Sequence, residues 1–148
     1  MRKLLPLLVV ALLAVAATMK MPTPEPITIE GKMVDSKCYG MATGMGMPEA
    51  AINDNHMVPK PDGDGMMEMP NCGTACANMG IPVAVLEGGE AGGAVYVIIG
   101  PAGGFAEYMA DEVKFEGEQA YPGAIIPSKF WVKEDGNWVE KDLPGTMM

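Results

Sequence analysis

All three cysteines of this 148-residue chain, and its only histidine, lie between residues 38 and 76. Glycine and proline interrupt residues 39–71 so often that neither a helical nor a strand period is sustained. A long irregular segment within a compact domain is usually functional or disordered, and an ordered one needs anchors. The sequence therefore predicts that Cys38, His56 and Cys72 anchor this loop.

Two interpretations of the cysteines follow from their chemistry. Thiolate and imidazole are suitable ligands for Zn²⁺ or Cu⁺, so Cys38, His56, Cys72 and Cys76 could form a tetrahedral Cys3His site. The alternative is a Cys38–Cys72 or Cys38–Cys76 disulfide with His56 exposed, which an oxidising compartment would favour.

The loop is also rich in methionine. Seven of the 15 methionines lie between residues 41 and 69. Their thioethers could bind Cu⁺, which is a soft ion, or they could fill gaps in a poorly specified loop. Copper and zinc are therefore the metals that the sequence indicates.

The N-terminal residues are typical of a secretory signal, because Arg2 and Lys3 precede an apolar run and small residues follow at 14–16. We expect a signal peptide at residues 1–17, a linker at 18–26, a domain at 27–142 and a flexible tail at 143–148. This organisation predicts a periplasmic or secreted protein without stable membrane insertion after cleavage.

The charge balance excludes one class of partner. The formal net charge is −9, and losing Arg2 and Lys3 with the signal would make it −11. Because a phosphate backbone would be repelled, nucleic acid is not an expected partner. A metal ion, and another exported protein, fit this acidity better.

The rest of the chain indicates short strands. Residues 112–117 alternate between apolar and polar, and Ile126, Phe130 and Val132 are expected on one face of a later strand. A short helix is expected at residues 71–80, with Asn71 as its N-cap and Cys72 and Cys76 on one face. We predict a mainly β fold: a small five-stranded OB-like barrel with one or two short helices and a long Met/Gly/Pro-rich loop. A β-sandwich is the alternative.

One pattern resembles a known group of proteins. It runs Gly31-x-x-Val34-Asp35-x-x-Cys38, then His56, then Cys72-x3-Cys76-x3-Gly80-x-Pro82. It resembles small exported bacterial proteins with OB-like domains and no established activity. The resemblance implies the barrel and the grouping of the Cys and His residues, and it implies no substrate.

The sequence thus predicts an exported metal-binding protein. The alternative from another class is a disulfide-stapled module that binds a protein partner on the barrel face. A thiol redox enzyme is a third hypothesis, although Cys72 and Cys76 form Cys-x3-Cys rather than Cys-x-x-Cys. No catalytic residue and no organic cofactor site is predicted.

Overall fold

A computed structural model describes residues 26–145 of the protein. The predicted signal peptide, all of the predicted linker except Pro26, and residues 146–148 of the predicted tail lie outside the described residues. Pro26 is the first residue of the first strand.

The described residues form eight strands and four short helices. The strands are β1 (Pro26–Asp35), β2 (His56–Pro59), β3 (Met66–Met69), β4 (Val83–Glu87), β5 (Val95–Ile98), β6 (Glu112–Tyr121), β7 (Ala124–Glu134) and β8 (Asn137–Lys141). The helices are α1 (Ser36–Gly44), α2 (Cys72–Asn78) and two 3₁₀ helices, Pro48–Ala51 and Ala102–Tyr108.

Six of the strands form one sheet in the order β5-β4-β1-β6-β7-β8. A short parallel pairing of β5 with β7 closes β1, β4, β5, β7 and β6 into an uneven ring, because only two residue pairs are in register there. The prediction of a mainly β protein is confirmed. The predicted strand count is wrong, since β8 extends the sheet and β2 and β3 form a separate hairpin.

The main core lies inside this ring. Phe115 and Phe130 stack with their ring centroids 4.6 Å apart, and Phe105 packs edge-on against both. Val113 and Val132 are buried beside them, so the predicted alternation of these strands is correct. Burial of such large apolar side chains is the main stabilising contribution in a domain of this size.

Ile126 is an exception to the predicted face of β7. Its side chain is 48% exposed, whereas its neighbour Ile125 is fully buried. The pairing of β6 with β7 shifts register between Glu116 and Gly117, where Ser128 has no partner. One extra residue reverses the side-chain alternation, because successive side chains point to opposite faces of a strand.

Residues 36–71 are more regular than the sequence predicts. They contain α1, one 3₁₀ helix and the β2–β3 hairpin, in which His56 pairs with Met69 and Pro59 pairs with Met66. The prediction of a long irregular loop is therefore wrong for most of this segment. Four of the glycines and prolines of this segment lie within these elements, and the other five lie in the turns between them: Gly46, Pro61, Gly63, Gly65 and Pro70.

The C-terminal part of the described chain contacts the domain. Leu143 packs against the main core, and Pro144 lies so close to Gly104 that a Cβ there would clash with its ring. Within residues 26–145 no helix has the length and apolarity needed to cross a membrane.

Candidate metal centre

Cys38 is positioned by the junction between β1 and α1. Asp35, the last residue of β1, caps α1: its Oδ1 accepts hydrogen bonds from the backbone N–H groups of Lys37 (2.9 Å) and Cys38 (3.3 Å). Such a cap satisfies the free N–H groups of the first turn. The hydroxyl of Ser36 donates to the carbonyl oxygen of Pro82 at 2.6 Å. This bond ties the start of α1 to the segment that follows α2.

Cys72 and Cys76 lie on α2, as predicted, and both are buried. Asn71 occupies the N-cap position, as predicted, but it has a left-handed backbone conformation (φ 51°) and its side chain makes no capping bond. Asp54, which precedes α2 by 18 residues in the chain, caps the helix instead. Its carbonyl oxygen accepts from the Gly73 N–H at 3.0 Å, and its Oδ1 accepts from the Thr74 N–H at 2.6 Å.

The capping by Asp54 also places His56. Because His56 is two residues after Asp54, anchoring Asp54 at the start of α2 brings the imidazole to the cysteine-bearing helix. His56 is 1% exposed, and within residues 26–145 neither of its ring nitrogens has a hydrogen-bond partner. An unpaired buried polar group costs about 1–3 kcal/mol, so a buried imidazole without partners requires an explanation.

The four predicted ligands are divided between two overlapping groups, one of which also contains Asp35. One ligand atom each of Cys38, His56 and Cys72 lies within 4.8 Å of the others, and the same holds for Asp35, Cys38 and Cys76. Cys38 belongs to both groups. The structure thus brings Cys, His and Asp side chains together at distances suitable for a metal ion.

The three cysteines are free thiols. The alternative in which Cys38 forms a disulfide with Cys72 or Cys76 is therefore wrong for this structure. Its second element, an exposed His56, is also wrong because the ring is buried.

Burial and negative charge hold protons on two of the thiols. Burial of the thiol first, and then the proximity and negative charge of Asp35, raise the pKa of Cys76 to about 12. The same causes, in the same order, raise the pKa of Cys38 well above its ordinary value, with smaller contributions from the neighbouring cysteines. Thiolates bind metal ions and thiols do not, so an ion must displace these protons. A bound cation would offset the charge repulsion that keeps the protons in place.

Asp35 is the site residue that sequence reasoning missed as a metal-ligating candidate. The carboxylate is 1% exposed, and its Oδ2 has no hydrogen-bond partner. Its place in the pattern Val34-Asp35-x-x-Cys38 was a signal, but that spacing also fits an ordinary helix cap. Only its burial beside two thiols distinguishes a capping residue from one that also faces a metal site.

Comparison with known proteins gives no family assignment. No family model matches the chain, and neither a curated protein nor a solved structure matches it significantly.

Proposed function

We propose that this protein is an exported metal-binding protein that holds copper or zinc through Cys38, His56, Cys72 and Cys76. One observation carries the proposal: the buried His56 ring has two unpaired nitrogens and lies within metal-ligand reach of two thiols. A metal ion bound to one nitrogen would satisfy it, and would draw the thiols of the two overlapping groups toward a common centre.

The donor set favours retention of an ion over catalysis. Three thiolates and one imidazole complete a tetrahedral shell, which leaves no position for a reacting water. Catalytic zinc sites keep such a position open. Binding, storage or transfer of the ion is therefore the activity that we propose.

Asp35 has a supporting role in this proposal. Its Oδ1 caps α1, and one of its carboxylate oxygens lies within 4.8 Å of the sulfurs of Cys38 and Cys76. Zn²⁺ accepts carboxylate oxygen as a ligand, whereas Cu⁺ prefers sulfur and nitrogen. Asp35 would therefore compete with Cys76 for the fourth position more strongly with zinc than with copper.

The remaining parts of the proposal come from the sequence. The positive n-region and apolar run at the N-terminus support export to the periplasm or beyond, and the mature chain would act free of the membrane. We also propose that the five-strand ring is an OB-type barrel, in line with the resemblance to small exported bacterial proteins. An exported protein that donates or accepts the ion is the expected partner.

The test is metal analysis of protein purified without chelator, combined with limited proteolysis of residues 39–71. Metal binding should be coupled to the order of this segment, so losing a ligand should lower metal content and expose the segment to protease. The variants are Cys38→Ser, His56→Ala, Cys72→Ser and Cys76→Ser. Asp64→Asn is the matched control, since it removes one acidic charge from an exposed turn of the same segment.

Chelator and reductant separate the two interpretations of the cysteines. With a metal site, chelator should expose the segment in the wild-type protein and reductant should not. A His56→Ala protein with wild-type metal content and wild-type resistance to protease would refute the four-ligand proposal. Loss of metal from Asp35→Asn but not from Cys76→Ser would replace Cys76 by Asp35 as the fourth ligand.

A further inference from the structure

A small cavity opens beside the candidate metal centre. Its volume is about 40 Å³, and its lining includes Cys38 and His56 together with the side chains of Met41, Met45 and Met57. His56, whose ring nitrogens are unpartnered within residues 26–145, thus lines a cavity that three methionines also line.

The local structure explains why these methionines surround the ligands. Met41 and Met45 follow Cys38 by three and seven residues along α1 and its C-cap, so the three side chains lie on one face. Met57 follows His56 in β2, where successive side chains point to opposite faces, yet both residues line the cavity. Two separate elements thus each bring a predicted ligand together with one or two thioethers.

Packing does not explain the three methionines. Met41, Met45 and Met57 are 56%, 45% and 42% exposed, whereas Met33 and Met109 are buried in the main core. Methionine usually fills gaps in apolar cores. An exposed methionine is also prone to oxidation to the sulfoxide. Folding stability alone therefore gives no reason for three exposed methionines around one opening.

We infer that Met41, Met45 and Met57 form an entry site for Cu⁺, through which the ion reaches Cys38, His56 and Cys72. The inference rests on the proposed function and specifies its metal. Thioethers are soft, uncharged ligands that bind Cu⁺ and bind Zn²⁺ poorly.

The transfer is a ligand exchange without a change in oxidation state. Bonds from copper to the thioethers break as bonds to thiolate sulfur and imidazole nitrogen form. Each thiol that becomes a ligand releases its proton to solvent. Cu⁺ enters and remains as Cu⁺, so no oxidant or reductant takes part.

The test variant carries Met41→Leu, Met45→Leu and Met57→Leu, which keep apolar bulk and remove the three sulfurs. The control carries Met47→Leu, Met67→Leu and Met79→Leu, three exposed methionines that do not line the cavity. The reduced proteins are mixed anaerobically with Cu⁺ held by a chromogenic chelator, and the rate and extent of transfer are recorded by stopped-flow absorbance.

We expect the test variant to take up Cu⁺ about tenfold more slowly, the smallest effect typical of groups next to a metal site. Its final Cu⁺ stoichiometry and its Zn²⁺ affinity should match those of the control. Circular dichroism checks that the variants fold. The single variants Met41→Leu and Met57→Leu should each take up Cu⁺ more slowly than wild type, which would exclude a packing defect caused only by the three substitutions together.

Equal uptake rates for test and control variants would overturn the inference while leaving the metal site intact. A wild-type protein that binds Zn²⁺ but takes no Cu⁺ from the chelator would also overturn it, and the proposed function would stand with zinc as the metal. Failure to bind either metal would reject both proposals.

Discussion

Replacing His56 by leucine should change stability in opposite directions with and without metal. The ring is 1% exposed and both of its nitrogens are unpaired, which together cost about 2–6 kcal/mol in the metal-free protein. Leucine has no polar atom to leave unpaired, although its different shape costs about 1–3 kcal/mol in packing. The midpoints of these two ranges differ by about 2 kcal/mol, so we expect His56→Leu to stabilise the metal-free protein by about that amount.

Bound metal should reverse the relative stability of the wild-type protein and His56→Leu. A ligand at 1,000 times its dissociation constant stabilises the folded state by about 4.1 kcal/mol, and the variant lacks one of the groups that bind it. The wild-type protein should then become the more stable of the two. A metal-independent structural role for His56 would not produce this change of sign.

The assay is urea unfolding of the reduced protein under anaerobic conditions, once with chelator and once with excess Zn²⁺. Met67→Leu is the control, an exposed position on β3 where a change within ±0.5 kcal/mol is expected. If His56→Leu is less stable than wild type in chelator, the imidazole nitrogens have partners in the metal-free protein and the reasoning fails.

Two further substitutions test the parts of the fold that position the site. Asp54→Ala removes the side-chain cap of α2, so it should cost about 0.5–2 kcal/mol in urea unfolding and weaken metal binding, whereas Asp64→Ala on an exposed turn should do neither. Phe115→Ala should cost about 3–5 kcal/mol, because Phe115 is fully buried against Phe105 and Phe130. A loss too small to measure by urea unfolding would mean that Phe115 contributes nothing to the core.

Local sequence patterns were sufficient to predict the strands of the ring. Val113 and Phe115 alternate with charged residues, and this period of two specifies one buried face for β6. The same rule failed at Ile126. Pro127 indicates an edge or a bulge in β7, but which side chains change face depends on the register shift in the pairing with β6. Helix α2 was predictable because Gly80 and Pro82 end it, and its spacing placed Cys72 and Cys76 on one face.

The secondary structure and packing of residues 39–71 could not be predicted from local sequence patterns. Asp54 caps a helix that begins 18 residues later, and the Ser36 hydroxyl bonds a carbonyl oxygen 46 residues away. Neither contact has a periodic signal, since each depends on how separate elements pack. These contacts are what bring Cys38, His56 and Cys72 together.

The sequence by itself determined the chemistry available to this protein: three thiols, one imidazole and a methionine-rich segment, attached to a mainly β framework. Residue types fix which ligands exist, and short-range periods fix most strands. Tertiary structure alone decided that His56 is buried without a partner, that Asp35 faces two of the thiols, and that three of the methionines surround one opening. The physical reason is that burial and side-chain proximity arise from contacts between elements far apart in the chain, whereas sequence patterns report only on neighbours.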